Sequence, residues 1–228
     1  GNLKVDAAGT ITQSGVMSVG GNSIFDNEDG SNGAITLTNG SNVFTGTVTF
    51  TTDSGSDVSI TDTTALDLVA LTANSLTASA GGALTDSGTL AISGLADLTG
   101  GTITINNTFD AGSLTFNSAG AVTISENSAT ALSGTSTALS LDLDSTGAIS
   151  DDGTADVTVT NLADFAGTSV TVDDTMNFGS LTFNSAGAVV VAEDSATALS
   201  GTSTALSLDL DSTGAISDDG TADVTVTN

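Results

Sequence analysis

Apolar residues in this chain come in short pairs that bracket a single other residue, and the pairs recur with a glycine-bearing corner between them. Leu114-Thr-Phe116 leads through Gly120 to Val122-Thr-Ile124, and Leu141-Asp-Leu143 leads through Gly147 to Ile149. Leu162 runs through Phe165 and Gly167 to Val170-Thr-Val172, and Leu181-Thr-Phe183 and Leu208-Asp-Leu210 begin further copies. Alternation with a period of two is the signature of a strand with one face inward. It predicts Leu114, Phe116, Val122 and Ile124 inside and Thr115, Asn117 and Thr123 outside. A third strand per coil is expected at pieces such as Val157-Thr-Val159 and Leu90-Ala-Ile92, and the longer coils add Ala131-Leu132 and Leu139.

The pairs belong to a larger period. Ser128–Asn161 recurs letter for letter as Ser195–Asn228, and Gly112–Val122 recurs closely as Gly179–Val189, both at an offset of 67 residues. The near-identical repeats are therefore 112–161 and 179–228. The pattern reaches back in weaker form to Leu3, with coil starts near 3, 22, 48, 76, 95, 114, 141, 162, 181 and 208. A fixed period with two or three short strands per coil predicts an all-β solenoid, in which each coil covers its neighbour's edge. The expectation is a single-stranded parallel β-helix, one continuous solenoid over 1–228, of about ten coils of 19–28 residues with three coils per 67-residue repeat. Parallel crossovers favour a right-handed coil, and ten coils spaced by about 4.8 Å would make a rod of roughly 50 Å. Tandem β-sandwiches fit less well, because 67 residues fall short of the roughly 100 that a sandwich uses.

Composition narrows the function. The 228 residues include 27 acids, one base (Lys4), and no His, Cys, Pro, Trp or Tyr, for a net charge of −26. Nucleic-acid binding needs Lys or Arg against phosphate, so none is expected, and docking on anionic lipid is disfavoured too. No run of 18 apolar residues exists, so no helical membrane insertion is expected. The start at Gly1 points to a processed chain or a window of a longer one. Asn228 corresponds to Asn161, which leads into Leu162, so the sequence stops where another coil would begin.

Acids gather just after the second apolar pair of the coils. Glu126, Asp151, Asp152, Asp173, Asp174, Glu193, Asp194, Asp218 and Asp219 all sit there, with Asp86 alongside and Gln13, Asn106 and Asn107 as polar equivalents. In a solenoid they would stack into one acidic column at about 4.8 Å per step. Two readings stay open. Hard oxygen ligands suit a divalent cation, calcium above all, and a solvated acidic edge keeps a rod soluble and blocks sideways aggregation. The loop containing Asp26, Glu28 and Asp29 is the best discrete calcium candidate. No calcium-loop motif of the helix–loop–helix or glycine-rich nonapeptide kind is present, and no cofactor is required.

Enzymatic activity is not expected. A Ser nucleophile would lack its His base, and a carboxylate pair for glycoside cleavage would stand without Trp or Tyr platforms. Asp151-Asp152 and Asp218-Asp219 belong to identical repeats, and a catalytic pair has little reason to be copied along a rod. Thr-x-Thr pieces such as Thr158-Val-Thr160 fall at different coil positions, which reads as outward strand residues and not as an ice-binding array.

The segment Leu-Thr-Phe-Asn-Ser-Ala-Gly-Ala-Val, the links Ala-Asp-Phe-Ala-Gly and Gly-Ala-Ile-Ser-Asp-Asp-Gly, and the absence of Cys resemble large secreted bacterial repeat proteins of the filamentous-haemagglutinin-like kind. The resemblance is one of repeat style. It implies export, a cell-surface or matrix location and a rod-like passenger region. The expectation is a non-enzymatic extracellular shaft or filament subunit. Its partner would be itself, end to end or side by side, or further repeats of the same chain. A carbohydrate- or receptor-binding adhesin module that meets a host or cell-surface glycan, and a calcium-dependent surface-layer protein, are the alternatives.

Overall fold

A computed structural model describes residues 1–28 and 30–227. The chain is a repeat protein with a β-solenoid fold: parallel strands stack in about 12 turns, typically 19 residues each, with no helix among the described residues. It divides into two compact units, Gly1–Gly112 and Ser113–Asn228.

Three walls build the first turns of the N-terminal unit. On one wall Leu3–Asp6, Ser23–Asp26 and Val48–Thr51 pair in parallel, Leu3 with Ser23 and Ser23 with Val48. On the second, Ile11 lies beside Ile35, Ile35 beside Val58, Val58 beside Leu76 and Leu76 beside Ala96. On the third, Ser18–Val19 pairs with Val43–Phe44. The inward faces close on Phe25, Phe44 and Phe50, whose rings meet edge-on at 6.1 Å and stacked at 5.7 Å. Burying these ladders is the driving force for a fold with no other core. A polar tie crosses the same turns: Gln13 Nε2 donates to Asn42 Oδ1 at 2.9 Å and Asn42 Nδ2 donates to Gln13 Oε1 at 2.8 Å. Asn42 is fully buried, so these bonds satisfy an amide that would otherwise oppose folding.

In the C-terminal unit Val122 lies beside Leu141, Leu141 beside Ala163, Ala163 beside Leu181, Leu181 beside Leu199 and Leu199 beside Asp218. A second ladder runs Ile149, Val170, Val189, Leu208. Leu114, Phe116, Val122 and Ile124 are buried as their alternation predicts, as are Val157 and Val159 of the third wall. Phe165 and Phe178 meet inside at 5.6 Å.

Several details depart from the sequence reading. The turns number about 12 and not ten, because the motif used to mark coil starts occurs on more than one wall. Val48 pairs with Leu68 and Leu76 with Val58, so these two starts belong to different ladders. The 67-residue repeat does not close on whole turns. Leu114 lies beneath Leu132, whereas Leu181, its equivalent one repeat on, continues the ladder of Val122, Leu141 and Ala163. The repeat thus spans three turns and part of a fourth, and equivalent residues land on different walls.

Phase also slips locally. The inward residues of two strands are Ala96 with Leu98 and Ala163 with Phe165, and Leu95 is left exposed. A register shift between Val159 and Leu162 produces the offset in the second case. Leu139 is exposed as well. Thr115, expected outside, is buried because the next turn's loop folds over it: its Oγ1 donates to the Ser133 carbonyl at 2.6 Å. That loop splits the covering strand in two, Leu132 over Leu114 and Thr137 over Asn117, and Gly134 makes the corner at φ 59°. Gly201 repeats the corner at φ 60°.

Candidate functional site

The acids were the sequence's strongest chemical signal, and the fold disperses them. Glu126 pairs in register with Ser145 and Glu193 with Ser212, whereas Asp151 pairs with Leu132 and Asp218 with Leu199. They therefore do not form one stacked column. The fractional advance of the repeat is the cause, since it carries equivalent acids to different walls.

Most of these carboxylates accept hydrogen bonds from backbone N–H groups or hydroxyls at the corners. Asp151 accepts from the N–H groups of Asp173 and Asp174, at 2.6 and 3.1 Å, across one turn. Asp174 accepts in return from Ala155 N–H at 3.1 Å. Asp86 accepts from Asn106 N–H at 3.0 Å and from Asn107 N–H at 3.2 Å. Glu193 is buried and accepts from Phe178 N–H at 2.8 Å, and the equally buried Glu126 accepts from Thr130 Oγ1 at 2.6 Å. Asp152 and Asp219 close local turns on Thr154 and Thr221. Asp218 accepts from Gly220 N–H at 2.5 Å, and Asp194 is exposed. A strand ladder leaves corner amides without partners, and a carboxylate that accepts them makes a charge-assisted bond stronger than a neutral one.

Two anchors escaped the sequence reading. Asp62 is buried and accepts from Phe44 N–H at 3.0 Å and Thr64 N–H at 2.8 Å. Asp53 reaches back to Gly30 N–H at 2.9 Å and Asn32 N–H at 3.4 Å. The Asp-x-Thr triplet at 62–64, 152–154 and 219–221 is the signal that marks such a turn, since Asp and Thr bond to the backbone two residues on. Asp53 carries no comparable mark.

One acidic cluster does form. Carboxylate oxygens of Asp151, Asp173 and Asp174 lie within 4.8 Å of one another, the sole such group among the described residues. Burial raises the Asp151 pKa, its two amide donors pull it down, and the neighbouring charges of Asp174 and Asp173 push it up again, for a net rise. The insertion loop is different. Asp26 faces Lys4 Nζ at 3.4 Å, Glu28 is exposed, and Asp29 lies outside the described residues. Outward-facing Asp142 and Asp164 are register partners on adjacent strands. Burial raises both pKa values, with Asp144 adding to the first and Asp142 and Asp144 to the second.

The other candidate is the sheet edge formed by Ser207–Ser212, Ile216–Asp218 and Asp223–Val226. Its sequence is identical to that of 140–159, which is covered by the strands Asp156–Gly167, Val170–Val172 and Thr175–Ser185. Ile149, Val157 and Val159 are 0, 0 and 1 % exposed, whereas Ile216, Val224 and Val226 are 51, 36 and 47 % exposed. Leu139 and Leu206, equivalent positions outside the ladder, are exposed to a similar degree at 42 and 48 %. The contrast therefore belongs to the edge.

A family described as repeats of unknown function (DUF5649) matches residues 1–51 and 55–115, the divergent part of the array. Comparison with curated proteins finds no match, and comparison with solved structures finds none.

Proposed function

We propose that this chain is a non-catalytic structural protein, a stretch of extracellular shaft or filament subunit that continues coil on coil. The observation that supports it is the unbroken parallel ladder, Val122 beside Leu141, Leu141 beside Ala163 and Ala163 beside Leu181, in which each turn is covered by the next. Carboxylates committed to corner amides support the same reading, because they hold turns together. The likeness in repeat style to filamentous-haemagglutinin-like surface proteins, and a family match described as repeats, favour an exported surface or matrix role.

Electron microscopy of the purified chain with concentration-dependent light scattering tests it. Rods or particles whose mass grows with concentration are expected. Discrete particles of constant mass, with no rods at any concentration, argue against a filament subunit.

A further inference from the structure

The dipeptide Asn-Gly occurs twice in this chain, at 32–33 and at 39–40. It is the least hindered setting for an asparagine side chain, because glycine has no Cβ to keep its own nitrogen away from the preceding residue. The fold treats the two copies differently.

Asn39 opens a tight turn between the strands Ile35–Leu37 and Val43–Phe44. Asn42 N–H closes the turn on the Asn39 carbonyl at 3.1 Å, and Ser41 N–H donates to Asn39 Oδ1 at 3.0 Å. Asp152 and Asp219 accept in the same way from Thr154 N–H at 2.9 Å and Thr221 N–H at 2.8 Å, each across a glycine. Those two are carboxylates, which resist nucleophiles, whereas the group at Asn39 is an amide. Gly40 is exposed, and a Cβ there would meet no atom within 4 Å. Neither its N–H nor Asn39 Nδ2 has a hydrogen-bond partner among the described residues. Asn32-Gly33 is locked by comparison. Gly33 is buried, and a Cβ there would come within 2.5 Å of the Gly9 carbonyl carbon and 2.6 Å of Thr10 N. Its carbonyl accepts from Asn27 Nδ2, and the Asn32 side chain lies against Gly55 of the next turn.

We propose that Asn39 is a self-modification site, at which the Gly40 nitrogen converts the side-chain amide to a carboxylate. The Gly40 nitrogen gives up its proton to solvent and attacks Asn39 Cγ. Negative charge develops on Oδ1, which already faces Ser41 N–H, so that bond strengthens as the charge grows. Breaking the Cγ–Nδ2 bond, with a proton taken from water, expels ammonia and leaves a five-membered imide. Water then opens the imide. Cleavage between Cγ and the Gly40 nitrogen gives aspartate at 39. Cleavage at the α-carbonyl gives isoaspartate, in which the chain runs through Cβ and Cγ and the α-carboxylate stands free. The net reaction exchanges an amide and water for a carboxylate and ammonia, and no other reactant enters.

The isoaspartate product loosens the turns around it, because it adds a backbone carbon inside the turn that presents Asn42. Asn39 N–H and Asn42 Nδ2 share Gln13 Oε1, at 3.1 and 2.8 Å, and the Asn42 carbonyl accepts Thr63 N–H at 2.9 Å. Lengthening the turn moves Asn42 away from Gln13 on one side and Thr63 on the other.

The test ages the full chain at mildly alkaline pH, cuts it with pepsin and locates converted residues by fragment mass spectrometry, with enzymatic methylation marking isoaspartate. Conversion at Asn39 is expected to outpace that at Asn32 about tenfold in the folded chain, a barrier difference of about 1.4 kcal/mol. In urea the two rates are expected to match. Gly40→Ala should slow the reaction at 39 by a similar factor. Amide exchange of the aged chain should rise over 37–44 and 13–19. Asn39→Asp keeps the backbone length and the turn seen at Asp152, so it should exchange like the unaged chain. Equal rates at Asn32 and Asn39 in the folded chain, or no conversion at Asn39, overturn the site. Isoaspartate at 39 with exchange unchanged, or equal loosening in Asn39→Asp, overturns the link to the Gln13–Asn42 tie.

Discussion

Ile149 and Ile216 are the same residue in the same 34-residue sequence, one fully buried and the other 51 % exposed. Truncating each to Ala is an internally controlled measure of what a covering turn contributes. Ile→Ala removes three carbons, worth roughly 2.4 kcal/mol at about 0.8 kcal/mol per buried carbon. At Ile149 a cavity term adds to this, because Val170 and Thr130 flank the site in register and cannot collapse freely, so about 3–4 kcal/mol is expected. At Ile216 about half of the transfer term remains and no closed cavity forms, which gives about 1.2 kcal/mol. The gap of about 2 kcal/mol is a factor of about thirty in an equilibrium constant. With no Trp or Tyr, urea unfolding is followed by far-UV circular dichroism. Amide exchange adds local resolution, since the substitution itself gives one copy's peptide a distinct mass. In a one-dimensional array the edge turn opens on its own, so Ile216→Ala should loosen 207–226 and leave the remainder protected. Equal losses for the two variants, at a dilution where light scattering shows a monomer, would refute the account of the edge.

Three further expectations follow from the corners and the acids. Asp97, Asp142, Asp151 and Asp164 all have raised pKa values, with burial the leading cause. Each raised carboxyl holds a proton in the folded state at a pH where the unfolded chain has lost it. Its contribution is complete below the unfolded value of about 3.9 and is lost as pH rises through the folded value, by up to about 1.4 kcal/mol per pH unit per proton. Asp57 and Asp219, lowered chiefly by hydrogen bonds from Ser75 and Thr221, act in the opposite sense but are exposed and screened. The melting temperature at fixed ionic strength should therefore rise from pH 7.5 to about 4.5, and a steady fall would contradict this. Glu193 Oε2 is buried without a hydrogen-bond partner, while Oε1 serves Phe178 N–H. Glu193→Gln should be neutral or stabilising in urea unfolding, and Glu193→Ala should cost about 1–3 kcal/mol by orphaning that amide; equal damage from both would count against the anchor role. Gly134→Ala and Gly201→Ala each force a left-handed backbone on an L-residue and should cost about 1 kcal/mol. Gly134→Asn should cost less, so the three melting curves rank the backbone effect.

How much of this was legible beforehand depends on whether a residue's role is set by its own strand or by the turn above it. Inward ladders such as Leu114, Phe116, Val122 and Ile124 follow from alternation, which is a property of one strand, and all are buried. Thr115 alternates outward yet is buried, because the Ser133 loop comes from the next turn and no local pattern announces it. The acids show the same division. Their position after an apolar pair was readable, as were local turns such as Asp152 on Thr154, but other acids accept amides a turn away, as at Asp151 with Asp173 and Asp174, and adjacency between turns depends on turn length. Turns vary in length: Val122 to Leu141 spans 19 residues and Leu141 to Ala163 spans 22. An acidic column requires equal turns and a repeat that closes on whole ones, and neither holds. The fractional repeat has a consequence for the array itself. A segment such as Gly112–Val122 and its copy at 179–189 must serve on different walls, although each lies beneath the equivalent neighbour, Leu114 beneath Leu132 and Leu181 beneath Leu199. Small inward pairs, outward hydroxyls and acids that seek any nearby corner amide meet that demand. A sequence that tolerates several walls can be duplicated without redesign, and this accounts for near-identical copies in a fold that never sets them directly above one another.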